Sequence, residues 1–152
     1  LTRQQERIME LSKPEDFLYE KRLKRLTSNF KRFFGDLNNA QVRLLEAHSR
    51  ITLNDSRTRL HNRTVRQKVF IRFLRTKPAE AELTVFLNKL LLRGHLITNP
   101  TYQIFLEESL DRFHGLLVNM LKSSSKEQKD TIINNLRDYA EDFKTVSFRK
   151  KN

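Results

Sequence analysis

The grouping in this sequence that comes nearest to acid–base chemistry is a histidine with carboxylates on its own helical segment. His114 follows Glu107 and Asp111 at helical spacing, so its imidazole could exchange a proton with a neighbouring carboxylate. The commoner role of this pattern is a surface histidine beside carboxylates of the same helix. The adjacent acids Glu107 and Glu108 point to different sides of a helix, so they cannot form a carboxylate dyad. We therefore predict that the chain is not an enzyme and has no catalytic residues.

Residues that bind metals or cofactors are sparse. The three glycines, Gly35, Gly94 and Gly115, are isolated, so no glycine-rich loop can cradle a phosphate or a dinucleotide. The chain has no cysteine, which excludes thiolate nucleophiles, zinc–thiolate sites and disulfides within it. The four histidines are too far apart in the sequence to form half of a metal site. We predict no cofactor and no metal.

Positive charge is the strongest signal in the sequence. The 152 residues include 30 Lys or Arg and 18 Asp or Glu, which gives a formal net charge of +12. Residues 1–76 hold 18 Lys or Arg against 8 Asp or Glu, whereas residues 77–152 hold 12 against 10. The charge therefore belongs mainly to the first half of the chain, where we look for a binding surface.

Two basic helical segments in that half are the candidate binding surface. The longer one follows Asn54-Asp55-Ser56 and carries two stripes of cations at helical spacing. The first stripe is Arg57, Lys68, Arg72 and Arg75, and the second is Arg59, Arg63 and Arg66. The other segment contributes Lys21, Arg22 and Arg25. We predict that these side chains bind a partner.

Three roles for such stripes remain open. The stems of Arg and Lys can cover apolar surface while their charged heads are solvated or paired. The stripes can also meet an acidic protein or an anionic surface such as lipid or lipopolysaccharide head groups. A nucleic acid backbone is a third partner, and we rank it last because most phenylalanines lie in apolar stripes rather than at exposed stacking positions.

Helical periodicity runs along almost the whole chain, and no segment has a pattern that predicts a strand. One apolar seam at helical spacing consists of Tyr19, Leu23, Leu26, Phe30 and Phe33, and the next segment has Leu37, Leu44, Leu45, His48 and Ile51 on a shared face. The apolar seams are interrupted by capping and helix-breaking residues. These breaks fall at Ser12-Lys13-Pro14-Glu15, Gly35, Asn54-Asp55-Ser56, Thr76-Lys77-Pro78, Gly94, Asn99-Pro100 and Ser124-Ser125-Lys126-Glu127. We predict an all-α, single-domain bundle of about seven helices over residues 1–146, followed by a flexible basic tail over residues 147–152.

Short capping patterns mark several of the predicted helix starts. Ser12 with Glu15 and Ser124 with Glu127 have the spacing of a capping box. A second pattern, Leu-Thr/Asn-x-x-Gln, occurs twice, as Leu1-Thr2-Arg3-Gln4-Gln5 and as Leu37-Asn38-Asn39-Ala40-Gln41. Each copy predicts a helix start with a polar capping residue and a glutamine at the end of the first turn.

The order of these segments resembles a family of uncharacterised proteobacterial lipoproteins whose periplasmic region is all-helical. In that family a basic helix precedes an aromatic-Leu-Gly-x-Leu-Thr-x-x-Gln segment and then an Asn-Arg-x-x-Trp-Gln segment. Here the matching segments are the basic helix 20–26, the residues from Phe33-Phe34-Gly35 to Gln41, and Asn62-Arg63-Thr64-Val65-Arg66-Gln67. Arg66 stands where the family usually has tryptophan. The resemblance covers most of the chain.

The resemblance implies that the chain is the C-terminal part of a longer envelope lipoprotein. A lipid on a cysteine upstream of Leu1 would hold it in the periplasm at a membrane, with the outer membrane favoured. The family carries no established activity, so we expect a non-catalytic domain that binds or scaffolds a protein or an anionic envelope partner through its basic face. The repeated motif is also similar to that of Spy-type periplasmic chaperones. A chaperone module is therefore one alternative, and a cytosolic nucleic-acid-binding helical domain is another.

Overall fold

The computed structural model describes the backbone of residues 2–149 and the side chains of residues 2–145, and the described backbone forms seven α-helices and one 3-10 turn. The helices are α1 (Arg3–Leu11), α2 (Glu15–Phe34), α3 (Asn39–Ile51), α4 (Asp55–Leu74), α5 (Glu80–Leu92), α6 (Thr101–Lys122) and α7 (Lys126–Arg149), and the 3-10 turn is Gly94–Leu96. No strand occurs within residues 2–149. The predicted all-α architecture of about seven helices is confirmed.

Reciprocal hydrogen bonds explain the repeated Leu-Thr/Asn-x-x-Gln pattern. The backbone N–H of Gln5 donates to Thr2 Oγ1 over 3.3 Å, and the backbone N–H of Thr2 donates to Gln5 Oε1 over 2.8 Å. The second copy repeats this exchange between Asn38 and Gln41, over 2.9 Å and 3.0 Å. Both copies are capping boxes, which satisfy backbone donors that a helix N-terminus leaves without partners.

The two predicted Ser-x-x-Glu capping boxes are wrong. Ser12 lies at the C-terminus of α1, where its hydroxyl donates to the carbonyl oxygen of Ile8 over 2.9 Å. The hydroxyl of Ser124 likewise donates back to the carbonyl of Met120, over 2.8 Å. At the start of α7 the box is formed by Ser125 and Gln128, over 3.2 Å in each direction. A serine between two helices can cap either one, and both of these serines bond the helix that ends before them.

Two compact units divide the described residues. The first unit consists of the residues up to Pro14 together with Thr52–Phe113, so it contains α1, α4, α5 and the first part of α6. The second unit consists of Glu15–Ile51 and the residues from His114 onward, with α2, α3, the rest of α6 and α7.

The second unit contains the main apolar core. Its buried residues come from three helices and are Phe30, Phe34, Leu45, Leu116 and Met120. Partly buried apolar residues surround them and include Leu23, Leu26 and Phe33, which confirms most of the apolar seam that helical spacing predicts for α2. Ile51 shares the predicted inward face of α3 but is 65% exposed, because α3 ends at this residue.

The first unit is more polar inside. Phe73 of α4 stacks on Phe86 of α5 with the ring centroids 3.9 Å apart, and Leu90 is buried nearby in α5. Asp55 and Asn62, both on α4, are also buried. This unit also holds the basic helix α4.

The predicted domain boundaries are not tested by the structure. α7 continues to Arg149, and residues 150–152 of the predicted basic tail lie outside the described residues. A single domain over residues 1–146 and a flexible tail over residues 147–152 stay predictions.

Candidate anion-binding groove on α4

Helix α4 carries six Lys or Arg side chains and one carboxylate, Asp55. The Asp55 side chain accepts a hydrogen bond from Ser109 Oγ over 3.2 Å and lies 3.4 Å from Arg112 Nη2. Both partners belong to α6. Asp55 is 8% exposed, so Arg112 and Ser109 compensate its buried charge. The only carboxylate of α4 is therefore engaged by α6.

The first predicted stripe separates into one structural arginine and three exposed cations. Arg57 donates to the carbonyl oxygen of Leu11, from Nε over 3.2 Å and from Nη2 over 3.1 Å. Leu11 is the last residue of α1, so Arg57 caps a helix C-terminus, where a positive charge is favourable. Lys68, Arg72 and Arg75 are exposed. We call these three residues the open basic face, and no hydrogen bond or ion pair with a described group engages their side chains.

The second predicted stripe lines a groove. Arg59, Arg63 and Arg66 follow one another at spacings of four and three residues, which places them on one side of α4. The groove has a volume of ≈ 550 Å³, and we call it the arginine groove. Its other lining residues come from α4, α5 and α6 and are Asn62, Gln67, Phe70, Leu90, Tyr102 and Leu106. No carboxylate lines it, so the three positive charges repel one another without compensation there.

Neighbouring groups hold two of these arginines in place. Arg59 Nη2 donates to Ser109 Oγ over 2.7 Å, and its guanidinium carbon lies 5.3 Å from the centre of the Phe105 ring, within the range of a cation–π contact. Arg66 Nη2 donates to the carbonyl oxygen of Leu90 over 2.9 Å. A Cβ atom at Gly94 would lie only 3.2 Å from Arg66 Nε. The absence of a side chain at Gly94 therefore allows the Arg66 side chain to pack against it.

Two lining residues of α4 remain without a side-chain partner. Arg63 is exposed, and no hydrogen bond or ion pair within the described part of the chain engages it. Asn62 is only 5% exposed, and its Oδ1 atom is buried with no hydrogen-bond partner among the described groups. A buried acceptor without a partner costs about 1–3 kcal/mol. The groove therefore combines an unengaged arginine with an unsatisfied acceptor.

The predicted cations of α2 lie in the second unit. Lys21 and Arg25 are exposed and Arg22 is half-buried. A shallow depression of ≈ 670 Å³ runs along α2, and none of the three lines it. Its lining residues are Glu20, Leu23, Lys24, Thr27, Ser28, Lys31 and Arg32. The role of Lys21, Arg22 and Arg25 in partner binding stays a prediction.

The histidine of the candidate acid–base grouping lies at the surface. His114 is exposed on α6. Within the part of the chain that the structure describes, no three residues among His, Cys, Asp and Glu come together in a way that could hold a metal ion. None of the described helices combines the length and the apolar content of a membrane span. The predictions of no catalytic residue, no cofactor and no metal stay predictions.

The lining residues of the groove that belong to α4 can be recognised in the sequence, whereas those from α5 and α6 cannot. Asn62 and Gln67 belong to the Asn-Arg-x-x-Arg-Gln segment, and their spacing from Arg59, Arg63 and Arg66 would have placed them beside the stripe. Their contribution was therefore visible as a helical pattern. Tyr102, Leu106 and Leu90 come from other helices, and no local pattern identifies them.

Comparison with protein-family models matches residues 2–103 to DUF6279, which is described as a family of unknown function. Comparison with curated proteins and with solved structures gives no match. The matched segment includes all of α4 and α5 and every groove residue except Leu106.

Proposed function

The chain belongs to the DUF6279 family of unknown function, and we propose that it is a non-catalytic binding domain of a bacterial cell-envelope lipoprotein. It binds a protein or an anionic envelope partner through the basic residues of α4. The open basic face, Lys68, Arg72 and Arg75, makes the first contact. The cations of α2 extend the same activity to the second unit.

The observation that carries this proposal is the engagement of Asp55. Because Ser109 and Arg112 occupy this carboxylate, α4 has no acidic side chain of its own left to balance its cations. The three side chains of the open basic face are exposed. An exposed row of uncompensated charge attracts a partner of opposite sign and speeds its association.

Charge reversal tests the binding activity. We expect the triple variant Lys68→Glu, Arg72→Glu and Arg75→Glu to stay folded and to lose the partner that the wild-type domain retains from an envelope extract. A matched control reverses three exposed cations elsewhere, Lys122→Glu, Lys129→Glu and Lys144→Glu, with the same change in net charge. Equal retention by both variants would show that the open basic face is only a solvated surface.

The envelope location is supported by the family resemblance of the segments around Gly35 and Asn62, and it has its own test. We expect the full-length precursor to carry a signal peptide followed directly by a lipid-accepting cysteine, which becomes the first residue of the mature protein. Metabolic labelling with a radioactive fatty acid, followed by fractionation, would place the label on the mature protein in the membrane fraction. A precursor without that cysteine would rule out the lipoprotein part of the proposal, while the binding activity could still be tested.

A chaperone module is the second candidate, and exposed apolar residues of α7 favour it. Leu136 and Phe143 lie seven residues apart on α7 and are 54% and 74% exposed, and exposed apolar surface is what binds unfolded chains. We expect a chaperone to suppress aggregation of a reduced model protein at equimolar concentration. The double variant Leu136→Ser and Phe143→Ser should then lose the effect. A domain without suppression would exclude this candidate.

A further inference from the structure

We propose that the arginine groove is a binding site for an organic phosphomonoester. This goes beyond the proposed function, because the groove lies on another stripe of α4 from the open basic face and takes a small molecule rather than a macromolecular partner. Its volume of ≈ 550 Å³ falls within the range of small-molecule sites, roughly 300–1,000 Å³.

The charge of the groove selects the ligand's anionic group. Arg59, Arg63 and Arg66 line it together, and no carboxylate does. A phosphomonoester brings a charge of about −1.5 to −2 and three acceptor oxygens, whereas a carboxylate brings a single charge and two oxygens. Three guanidinium groups around one space therefore match a phosphomonoester better than a carboxylate.

The arginines are also partly positioned before any ligand binds. The bond from Arg59 to Ser109 and the bond from Arg66 to the Leu90 carbonyl each use one N–H of the guanidinium. Since a guanidinium has five N–H donors, both residues keep donors for an anion. The Arg63 side chain is exposed and is not engaged by any described group, so it can close over the ligand from the solvent side. Positioned donors reduce the entropy that binding loses.

The walls of the groove select the organic part. Phe70, Leu90 and Leu106 present apolar surface, and Tyr102 adds an aromatic ring with a hydroxyl. Asn62 lines the same groove and is only 5% exposed. Its Oδ1 atom has no hydrogen-bond partner among the described groups. The apolar and aromatic walls favour a planar or apolar group as the ligand's body. A hydroxyl on that group would supply the donor that Asn62 Oδ1 lacks.

Calorimetric titration of the chain with phenyl phosphate tests the site. We expect saturable one-to-one binding that is tighter than the binding of inorganic phosphate, because the ring buries apolar surface against the walls. Arg63→Gln should weaken it by about tenfold or more, which is the loss of one charge-assisted hydrogen bond. The control Lys68→Gln removes the same charge from the open basic face and should leave the affinity unchanged.

Several results would overturn the proposal. If binding does not saturate up to about 10 mM phenyl phosphate, the dissociation constant is too high for a specific small-molecule site. That result would exclude the site. Equal weakening by Arg63→Gln and Lys68→Gln would show diffuse attraction rather than a groove. Benzoate binding as tightly as phenyl phosphate would reassign the groove to carboxylates. A negative result in the retention test of the open basic face would not change the expected titrations with phenyl phosphate. The two proposals can therefore be rejected independently of each other.

Asn62 provides a second readout that a purely structural residue would not give. We expect 4-hydroxyphenyl phosphate to bind more tightly than phenyl phosphate in the wild type, and Asn62→Leu to remove that difference. Because the variant also removes an unsatisfied buried acceptor, its melting temperature should be equal to that of the wild type or higher. A lower melting temperature with an unchanged preference between the two ligands would refute the role of Asn62.

Discussion

The side-chain amides of Gln41 and Gln128 bond each other in both directions. Gln41 Nε2 donates to Gln128 Oε1 over 3.1 Å, and Gln128 Nε2 donates to Gln41 Oε1 over 2.9 Å. Each glutamine also completes the capping box of its own helix, with Asn38 at the start of α3 and with Ser125 at the start of α7. The N-termini of two helices in the second unit are therefore joined through the residues that cap them.

The first prediction compares the two copies of the repeated motif. Gln41 is fully buried, whereas Gln5 is exposed. Gln41→Ala removes one half of a capping box and leaves the amide of Gln128 without its buried partner, so we expect a loss of about 2–3 kcal/mol in the free energy of unfolding. Gln5→Ala makes the same chemical change at an exposed cap and should cost less than about 1 kcal/mol. Urea unfolding measures both, and equal losses would contradict the joining role of Gln41.

The second prediction separates Arg57 from the cations of the open basic face. Arg57→Met removes two charge-assisted hydrogen bonds to the Leu11 carbonyl, so we expect a loss of about 1–2 kcal/mol in stability. Arg72→Met, at an exposed position of the same helix, should change stability by less than about 0.5 kcal/mol. Thermal unfolding of both variants makes the comparison, and similar melting temperatures would show that Arg57 is not a structural cap.

The third prediction uses two glycines in opposite situations. Gly35 ends α2 with a φ of +72°, and an added Cβ would meet only Thr131 Cγ2 at an ordinary 3.8 Å. Gly35→Ala should therefore cost about 1–2 kcal/mol through backbone strain alone. Gly115 lies inside α6 with nothing within 4 Å of an added Cβ, so Gly115→Ala should add about 0.5–1 kcal/mol. Denaturant unfolding would contradict this reasoning if both changes had the same sign.

The fourth prediction concerns the acid side of the stability profile. The backbone N–H of Glu127 and, to a smaller extent, the hydroxyl of Ser125 lower the pKa of the Glu127 carboxyl below 4.5. A pKa that is lower in the folded state stabilises the fold above the unfolded value, and this contribution is lost as the pH falls through the folded pKa. We therefore expect the stabilisation from Glu127 to disappear below pH 4.5.

NMR titration of the Glu127 carboxyl checks this prediction. Ser125→Ala should raise the pKa of Glu127 only part of the way to 4.5, because the backbone hydrogen bond contributes more than the hydroxyl. An unchanged pKa in the variant, or a return to the full 4.5, would show that the two contributions have been assigned in the wrong order.

Most of the helical architecture could be predicted from the sequence, because helices depend on local spacing and on caps. The seam that contains Phe30 and Phe33, the stop at Gly35 and the box between Asn38 and Gln41 are all local patterns, and the structure confirms each. Local reasoning was wrong at Ser12, because this residue lies between two helices and its hydroxyl can serve either. Only the folded backbone decides which carbonyl or amide such a hydroxyl reaches.

Arg59, Arg63 and Arg66 share one side of a helix because of their spacing alone, since a period of 3.6 residues leaves no alternative once the helix forms. The folded chain makes this stripe line a groove, whereas Lys68, Arg72 and Arg75 lie on an open surface. The difference arises because Leu90, Tyr102 and Leu106 reach the groove from other helices. Packing between helices, which no local spacing encodes, converts one of two similar stripes into a candidate binding site.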